Sequence, residues 1–590
     1  MRKLMYRTIF SVFILFFSTW TGAEGRLPEI DSPKVLEKIH EIMKSHASYK
    51  KLTTELVKRT LLNYLDELDP NKTYFIKSDI RQWIEPNDAL LNQTLSKYNQ
   101  GDFSLFIEIH EKMISAISRR HAIEKNINLE DLPKKVNSDE FKDMDWAITE
   151  EELLTRLERI RALQIETSAN LNEEFKEKSL QRIEKHREKF EKEITNDDPI
   201  HRQRFILSNV LKATASALDT HTAYFTPGEA TQFMINVQQR LFGIGAQLRD
   251  DLNGFRVIKI IEGGPAHQGK ELKVKDRIIA VDEEPVVGMD ILSAVELIRG
   301  KENTPVTLTV IRETGEGETE EQLNITIMRS EVVLKETRYD SAYEPFGNGI
   351  IAYLRLHSFY QDPENSSAAD LAKEIEKLKN EHNVKGVILD LRYNTGGMLS
   401  QAVDVTGLFI KKGVVVAIKD STGSIQYLRD LDGKMIWDGP LIILVNKASA
   451  SASEIVAQTL QDYGRAIVVG DEHTYGKGSF QTFTLNSREG SSVNPEGEYK
   501  VTRGRYYTVS GKTPQLTGVT SDIILPGPLS ESDIGEKFAK YPLENDSIKE
   551  NFDDDLSDIP YPQRAKIRLL YKFDLQPKLT TLVPYMETLK

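Results

Sequence analysis

Cysteine is absent from all 590 residues of this chain. Disulfide bonds, thiol catalysis, cysteine-ligated zinc and a lipidated N-terminal cysteine are therefore excluded together. The sequence also lacks a His-Glu-x-x-His zinc helix, a Gly-x-Ser-x-Gly nucleophile turn and a Walker loop. We expect a protein that is stabilised by packing and that uses neither a metal nor a cofactor.

The chain also has no excess of positive charge. Its 77 Lys and Arg residues are outnumbered by 90 Asp and Glu residues, which gives a net charge of −13. Binding to a phosphate backbone needs a basic surface, so nucleic acid is not an expected partner. The length predicts several domains, and the 39% of apolar residues are enough to form their cores.

No apolar run reaches the roughly 20 residues that a membrane-spanning helix needs. The N-terminus has three cations, Arg2, Lys3 and Arg7, before the apolar run Ile9–Phe17, and small residues at 21–23 follow. This pattern predicts a cleavable signal peptide over residues 1–23, with a membrane anchor as the alternative. We therefore expect an exported protein without a stable anchor, and the bacterial periplasm fits best.

Hydrophobic periodicity predicts a multidomain α/β chain. The expected parts are a helical domain over residues 24–229, a β-rich domain over 230–331, a layered α/β core over 332–527 and a C-terminal segment over 528–590 with a helix near 563–573. Strands of the core are predicted at Val387–Leu391 and Leu441–Val445. Two similar stretches, Leu68–Phe75 and Leu218–Phe225, are interpreted as helix ends that lead into loops, without a chemical role.

The serines at 449, 451 and 453 lie between a predicted strand and a predicted helix over Ala452–Leu460. A serine at such a junction is close to free backbone N–H groups and to the positive end of the helix dipole, which would stabilise an oxyanion. An ordinary helix N-cap is the alternative. The residues alone do not decide among Ser449, Ser451 and Ser453.

A serine nucleophile needs a base, and the α/β region has only three histidines, His357, His382 and His473, none in a known hydrolase motif. Lys477, between Gly476 and Gly478, is the remaining candidate, with an exposed turn lysine as the alternative. It can act near neutral pH only if burial lowers its pKa by about three units.

The glycine-rich turn Asp390–Gly397 follows another predicted strand. Its backbone N–H groups would supply a second oxyanion donor beside the N–H of Ala452, although such turns are more often structural.

Four blocks of the chain together resemble the tail-specific, or carboxyl-terminal processing, proteases: Phe242–Ala246, Asp390–Gly397, Ser449–Ala466 and Gly476–Gln481. The resemblance implies a PDZ domain within residues 230–331 and a peptidase core of the ClpP/crotonase-like type. It also implies an endopeptidase of exported or misfolded proteins.

Residue by residue, the resemblance implies Ser451 as the nucleophile, Lys477 as the general base and Gln481 as the residue that orients the lysine. Gly397 and Ala452 would donate to the oxyanion. Asp462 matches a further aspartate of the family, and we expect it to be structural because a carboxylate beside Lys477 would raise the pKa of the lysine.

The block Leu241, Phe242, Gly243, Ile244, Gly245 and Ala246 resembles the carboxylate-binding loop of a PDZ domain, with an ordinary hydrophobic hairpin as the alternative. A peptide's C-terminus would bind the loop N–H groups and add as a strand against the helix near Asp290. The expected partners are proteins with apolar C-termini, and the sequence leaves a homo-oligomer or an adaptor protein open.

Two other functions compete with proteolysis. One is a catalytically degenerate PDZ scaffold or chaperone that binds apolar C-termini. The other is an acyl-CoA enzyme, because a related layered fold places glycine N–H donors around a thioester carbonyl.

Overall fold

The computed structural model describes residues 27–560 and 564, except for positions 142–143, 169–172, 239, 252–253, 288–290, 301, 315–318, 334–337, 363, 485–492, 555 and 557. The predicted signal peptide, Asp290 and the predicted helix near 563–573 fall outside the described residues, apart from position 564. None of the helices in the described part combines the length and hydropathy of a membrane span.

The chain begins with a helical domain, as predicted. Its helices are α1 Ser32–Ser45, α2 Thr54–Leu68, α3 Lys77–Ile84, α4 Asp88–Tyr98, α5 Ser104–Glu124, α6 Glu150–Ser168, α7 Glu173–Ile194 and α8 Pro199–Leu218. Asp31 caps α1 by accepting the N–H of Lys34, and Val35, Ile39 and Ile42 then recur at helical spacing on its buried face. Helices α2 and α8 pack against each other at the centre of the domain.

The β-rich domain forms a separate compact unit over Thr226–Gln232 and Leu241–Val333. After strand β1 Ala223–Phe225 and helix α9 Pro227–Gln238, its elements are β2 Arg240–Gly243, β3 Ala246–Asp251, β4 Gly254–Ile260, α10 Pro265–Gly269, β5 Arg277–Val281, β6 Glu284–Pro285, α11 Ile291–Ile298, β7 Pro305–Thr314, β8 Thr319–Met328 and β9 Ser330–Val333. An antiparallel sheet has the order β3-β4-β5-β7-β8, so β3 lies at its edge.

The α/β core follows. Its elements are β10 Tyr339–Phe346, β11 Gly349–Leu356, α12 Ser367–Glu381, β12 Val384–Asp390, α13 Leu399–Gly407, β13 Gly413–Asp420, β14 Ile425–Asp430, β15 Leu441–Val445, α14 Ala452–Asp462, β16 Ile467–Gly470, β17 Ser479–Phe483, β18 Glu498–Thr508 and β19 Ile523–Ile524. One sheet has the order β10-β11-β12-β15-β16-β19 and is parallel except for β10. A second sheet has the order β1-β18-β13-β14, with β17 also paired to β18.

These two sheets position the candidate site. Strands β12 and β15 are parallel neighbours, with Asp390 opposite Leu444, so the loops that follow them meet at one edge of the sheet. Those loops are the glycine-rich turn and the serine run. The second sheet includes β1, which directly follows the helical domain, so the helical domain and the core share a sheet.

The described part of the C-terminal segment is bound to the core by a buried ion triad. Its secondary structure in the described part includes one 3₁₀ turn, Glu536–Phe538. The Arg429 guanidinium on β14 binds the carboxylates of Asp554 and Asp558 at 2.7 Å each, and all three side chains are at most 7% exposed. This buried ion triad attaches the segment to the core.

We expect Arg429→Ala to lower the free energy of unfolding by about 3–5 kcal/mol, because the change leaves two buried carboxylates without their partner. Urea unfolding and limited proteolysis of the C-terminal segment measure the effect. Arg81→Ala is the control, since the Arg81–Glu85 pair is exposed and such pairs contribute about 1 kcal/mol or less. Equal effects of the two changes would contradict the assignment.

Candidate active site

Ser451 lies at the junction between β15 and α14, as the N-cap of the helix. Its backbone has φ +55° and ψ −113°, a conformation that a residue with a side chain rarely adopts. Such strain is retained where the surrounding structure holds it in place, and it is common at active sites. The hydroxyl of Ser451 forms no hydrogen bond within the described residues.

The two neighbouring serines have different surroundings. Both are fully buried. The Ser449 hydroxyl donates to Leu391 O at 2.8 Å, and the Ser453 hydroxyl donates to Asn394 O at 2.8 Å. Their hydroxyls therefore join the serine run to the glycine-rich turn and are not free to react.

The Glu454 carboxylate links the serine run to the lysine loop. One of its oxygens accepts the Ser451 N–H at 2.8 Å and the Lys477 N–H at 2.9 Å. The other accepts the Gly476 N–H at 2.6 Å and the Thr474 hydroxyl at 2.5 Å. Burial raises the pKa of Glu454 to about 7, although these four donors favour its ionised form.

The Tyr506 hydroxyl on β18 makes a second link between the same two residues. It donates to the carbonyl of Lys477 and lies 3.2 Å from the carbonyl of Ser451. Because Glu454 binds the N–H groups of Ser451 and Lys477 and Tyr506 contacts their carbonyls, the two backbones are held together from both sides.

The amine of Lys477 has no hydrogen bond or ion pair among the described residues. Burial is the main cause that lowers its pKa, and the nearby charge of Lys500 adds to this effect, which brings the pKa to about 8. Glu536, Glu454 and Asp219 act in the opposite direction. A substantial fraction of this amine is therefore uncharged slightly above neutral pH.

The Gln481 amide lies on β17, four residues after Lys477. Its Nε2 donates to Ser479 Oγ at 2.9 Å and to Thr502 Oγ1 at 3.3 Å. No direct hydrogen bond between Gln481 and Lys477 is present in this part of the structure. The amide is thus positioned by β17 and β18 rather than by the lysine.

The glycine-rich turn packs directly on the serine run. Asn394 accepts the Ala450 N–H at 3.0 Å, and a methyl group added at Gly396 would lie 2.8 Å from Ser451 Cβ. Gly396 has φ +105°, a conformation that favours glycine. The N–H of Gly397 and that of Ala452, the first residue of α14, have no hydrogen-bond acceptor among the described residues, so both are available as donors.

Asp462 lies at the far end of α14, about 16 to 17 Å along the helix from Ser451 at 1.5 Å per residue. Its carboxylate accepts Gln458 Nε2 at 2.9 Å and the Thr508 hydroxyl at 2.6 Å. The structure does not bring Asp462 into contact with Ser451 or Lys477.

The predicted carboxylate-binding loop begins within β2 and ends at the first residue of β3. Ile244 is buried in the core of its domain, and its carbonyl accepts the Ala266 N–H at 2.8 Å. Gly245 has φ +72°, and its carbonyl accepts the Ile261 N–H at 2.8 Å. Helix α11 packs against β3, which is the edge strand of its sheet in the described part of the chain.

Several residues at the site were missed by sequence reasoning. Glu454 had a detectable signal, because Ser451 and Glu454 have the Ser-x-x-Glu spacing of a capping box. Tyr506 had none, since it reaches the site only through the pairing of β17 with β18. Asp219 and His221 lie in the second of the two similar stretches, to which we assigned no chemistry, yet the charge of Lys477 influences the pKa of His221. Within the described residues no three His, Asp or Glu side chains are grouped as metal ligands.

Comparisons with known proteins cover most of the chain. The family model described as Peptidase family S41 matches residues 350–525, the Tail specific protease N-terminal domain matches 38–228, and the PDZ domain matches 231–311. The tail-specific protease of Haemophilus influenzae is 30% identical over 512 residues, which cover 84% of this chain and 70% of that protein. The carboxy-terminal-processing protease of Bartonella bacilliformis is 32% identical over 343 residues, which cover 58% of this chain and 74% of that protein.

Two solved structures are also similar to parts of the chain. The photosystem II D1 C-terminal processing protease is 25% identical and covers 57% of this chain and 86% of its own, with a TM-score of 0.31. The PDZ domain of a carboxy-terminal protease from Vibrio cholerae, solved in complex with peptide, is 34% identical and covers 16% of this chain and 97% of its own, with a TM-score of 0.15.

We expect Glu454→Gln to lower the free energy of unfolding by about 1–3 kcal/mol, because an amide cannot accept all four hydrogen bonds and leaves a buried donor unsatisfied. Thermal unfolding measures the change. Glu472→Gln, an exposed carboxylate in the same loop, is the control and should have no effect. Wild-type stability of the Glu454 variant would show that the carboxylate does not hold the two loops together.

Proposed function

This chain belongs to the tail-specific, or carboxy-terminal-processing, protease family, and on that premise we propose that it is a serine endopeptidase with Ser451 as nucleophile and Lys477 as general base. The observation that carries the proposal is the double link between these residues. One buried carboxylate and one phenol bind the backbones of both, although the residues are 26 positions apart.

The choice of Ser451 over its neighbours is supported by hydrogen bonding. Ser449 and Ser453 use their hydroxyls to bind backbone carbonyls. Ser451 has a strained backbone and a hydroxyl without such a bond. A nucleophile needs this availability, because its oxygen must approach a substrate carbonyl.

In the proposed reaction the Ser451 oxygen attacks the carbonyl carbon of the peptide bond while the neutral Lys477 amine accepts the hydroxyl proton. The resulting ammonium then donates that proton to the leaving amine, and a water molecule repeats the sequence on the acyl-enzyme. The free N–H groups of Ala452 and Gly397 would bind the oxyanion. Gln481 is proposed as a positioning residue, and the more distant Asp462 as a structural one.

The proposed substrates are exported or misfolded proteins with apolar C-termini, bound through the PDZ domain. Two features support peptide binding there: β3 is the edge strand of its sheet in the described part, so a peptide can add beside it, and the turn between β2 and β3 has backbone N–H groups that can bind a carboxylate. We also propose export through a signal peptide over residues 1–23, a periplasmic location, and the domain limits predicted from the sequence.

We expect Ser451→Ala and Lys477→Ala each to reduce cleavage of an unfolded reporter protein with an apolar C-terminus by at least about 10²-fold, because each change removes a group that takes part in bond cleavage. Mass spectrometry of the fragments measures turnover and locates the cleaved bonds. Lys512→Ala, which removes an exposed lysine, is the control. Undiminished turnover by Lys477→Ala would refute the base, and stable binding by the wild type without fragments would favour the scaffold.

We expect the rate to rise with pH through about 8, where the depressed pKa of Lys477 makes its amine neutral. Below that pH, kcat/KM should fall about tenfold per unit, because only the neutral amine accepts a proton. Lys500→Gln should move the acid limb to higher pH, since Lys500 is a cause of the lowered pKa of Lys477. Lys512→Gln is the control. A limb near pH 6 that Lys500→Gln leaves unchanged would contradict the prediction.

A further inference from the structure

We propose that two buried side chains of the helical domain, His46 and Asp219, act through Thr502 to fix the orientation of the Gln481 amide. In that orientation the carbonyl oxygen of Gln481, rather than its NH₂ group, is free to accept a hydrogen bond from the Lys477 amine. This inference rests on the proposed function, because it concerns the positioning of the proposed base. The helical domain then contributes to catalysis through Thr502 and Gln481.

His46 lies at the end of α1 and is fully buried. Its Nδ1 accepts two backbone N–H groups, from Ser48 at 3.0 Å and from Tyr49 at 2.9 Å. The ring proton therefore lies on Nε2. Nε2 is 2.6 Å from Asp219 Oδ2 and donates to it.

Asp219 follows the last residue of α8 and is 1% exposed. Besides His46 it accepts the N–H of His221 at 2.7 Å and both the N–H and the hydroxyl of Thr222 at 3.1 and 2.6 Å. So many donors require an ionised carboxylate, which can only accept hydrogen bonds.

Thr502 on β18 is one of the groups that must donate to this carboxylate. Thr502 Oγ1 is 2.9 Å from Asp219 Oδ1, and because the carboxylate cannot donate, the Thr502 hydroxyl must use its single hydrogen there. The same oxygen is 3.3 Å from the Gln481 amide, so towards Gln481 it can act only as an acceptor. Gln481 must therefore present its NH₂ group to Thr502.

The carbonyl oxygen of Gln481 is the part of the amide that remains available. The second N–H of Gln481 is used by Ser479 Oγ at 2.9 Å, so both amide hydrogens have acceptors. The amide oxygen then faces away from Thr502 and has no donor among the described residues. An ammonium has three hydrogens to donate and cannot accept, so Lys477 pairs with an oxygen and not with an NH₂ group.

Asp69 provides a matched comparison that distinguishes the positioning role of Asp219 from simple structural support. Asp69 occupies the equivalent place in the first of the two similar stretches and is also fully buried. It accepts the N–H groups of Thr73, Tyr74 and Phe75 and the indole N–H of Trp146, all within the helical domain. Asp69 therefore resembles Asp219 in burial and bonding, but none of its hydrogen-bond partners among the described residues lies on a strand of the core.

The charged and titratable groups around Lys477 must stay unchanged in a test of pH dependence. They are Lys500 on β18, Glu454 on α14, Glu536 in the C-terminal segment, and Asp219 and His221 after α8. Thr502→Val leaves all of these residues in place, replaces the hydroxyl with a methyl group and keeps the shape of the side chain.

We expect Thr502→Val to lower kcat about tenfold or more with little change in KM, and to move the acid limb to lower pH. Without the hydroxyl, the amide of Gln481 can turn its NH₂ group towards the lysine, and an ammonium that loses an acceptor has a lower pKa. Thr502→Ser keeps the hydroxyl and should therefore have the wild-type kcat and acid limb. A Thr502→Val enzyme with the wild-type kcat and acid limb would overturn the proposal.

The carboxylate pair provides the second comparison. Asp219→Asn should lower kcat as Thr502→Val does, whereas Asp69→Asn should lower only thermal stability. The acid limb is not compared for this pair, because the charge of Asp219 itself raises the pKa of Lys477. Equal effects of the two changes on kcat would overturn the proposal. Lys477→Ala distinguishes failure of the proposed function from failure of this inference. If the variant retains turnover, the proposed function fails. If it is inactive while Thr502→Val is like the wild type, only this inference fails.

Discussion

The site depends on one buried carboxylate. Glu454 accepts hydrogen bonds from the backbones of Ser451 and Lys477, which belong to different loops of the core. Burying an ion is unfavourable unless it is surrounded by donors, and four donors surround this one. Because the carboxylate is satisfied only when both loops are in place, the arrangement of the candidate nucleophile and base is coupled to the stability of the core.

The pairing of strands in the two sheets positions the other groups of the site. Parallel pairing of β12 with β15 brings the glycine-rich turn against the serine run, and the pairing of β17 with β18 brings Gln481 opposite Thr502 and Tyr506 near the lysine loop. A strand register is discrete, since a shift by one residue turns every side chain to the opposite face. The positions of these groups are therefore defined by backbone pairing rather than by the flexibility of the loops.

The helical domain is connected to the candidate site through β18. Strand β1 pairs with β18, and the carboxylate of Asp219 binds Thr502 on the same strand. The pKa of Lys477, the proposed base, is set by opposing effects. Burial and Lys500 lower the pKa of Lys477, while three carboxylates raise it, so the amine remains useful slightly above neutral pH instead of losing its charge altogether.

Much of this protein could be predicted from sequence alone. The α/β class, the core strands at Val387–Leu391 and Leu441–Val445 and the helix after the serine run follow from local hydrophobic periodicity, which the structure confirms within a few residues. The candidate serines and lysine were visible because glycine and small residues surround them. Which serine has a free hydroxyl, and the presence of Glu454, Tyr506, Thr502 and Asp219 around the lysine, were decided only by tertiary structure. These residues meet through strand register and buried donor–acceptor pairing between segments up to hundreds of residues apart, and local sequence patterns carry no information about such contacts.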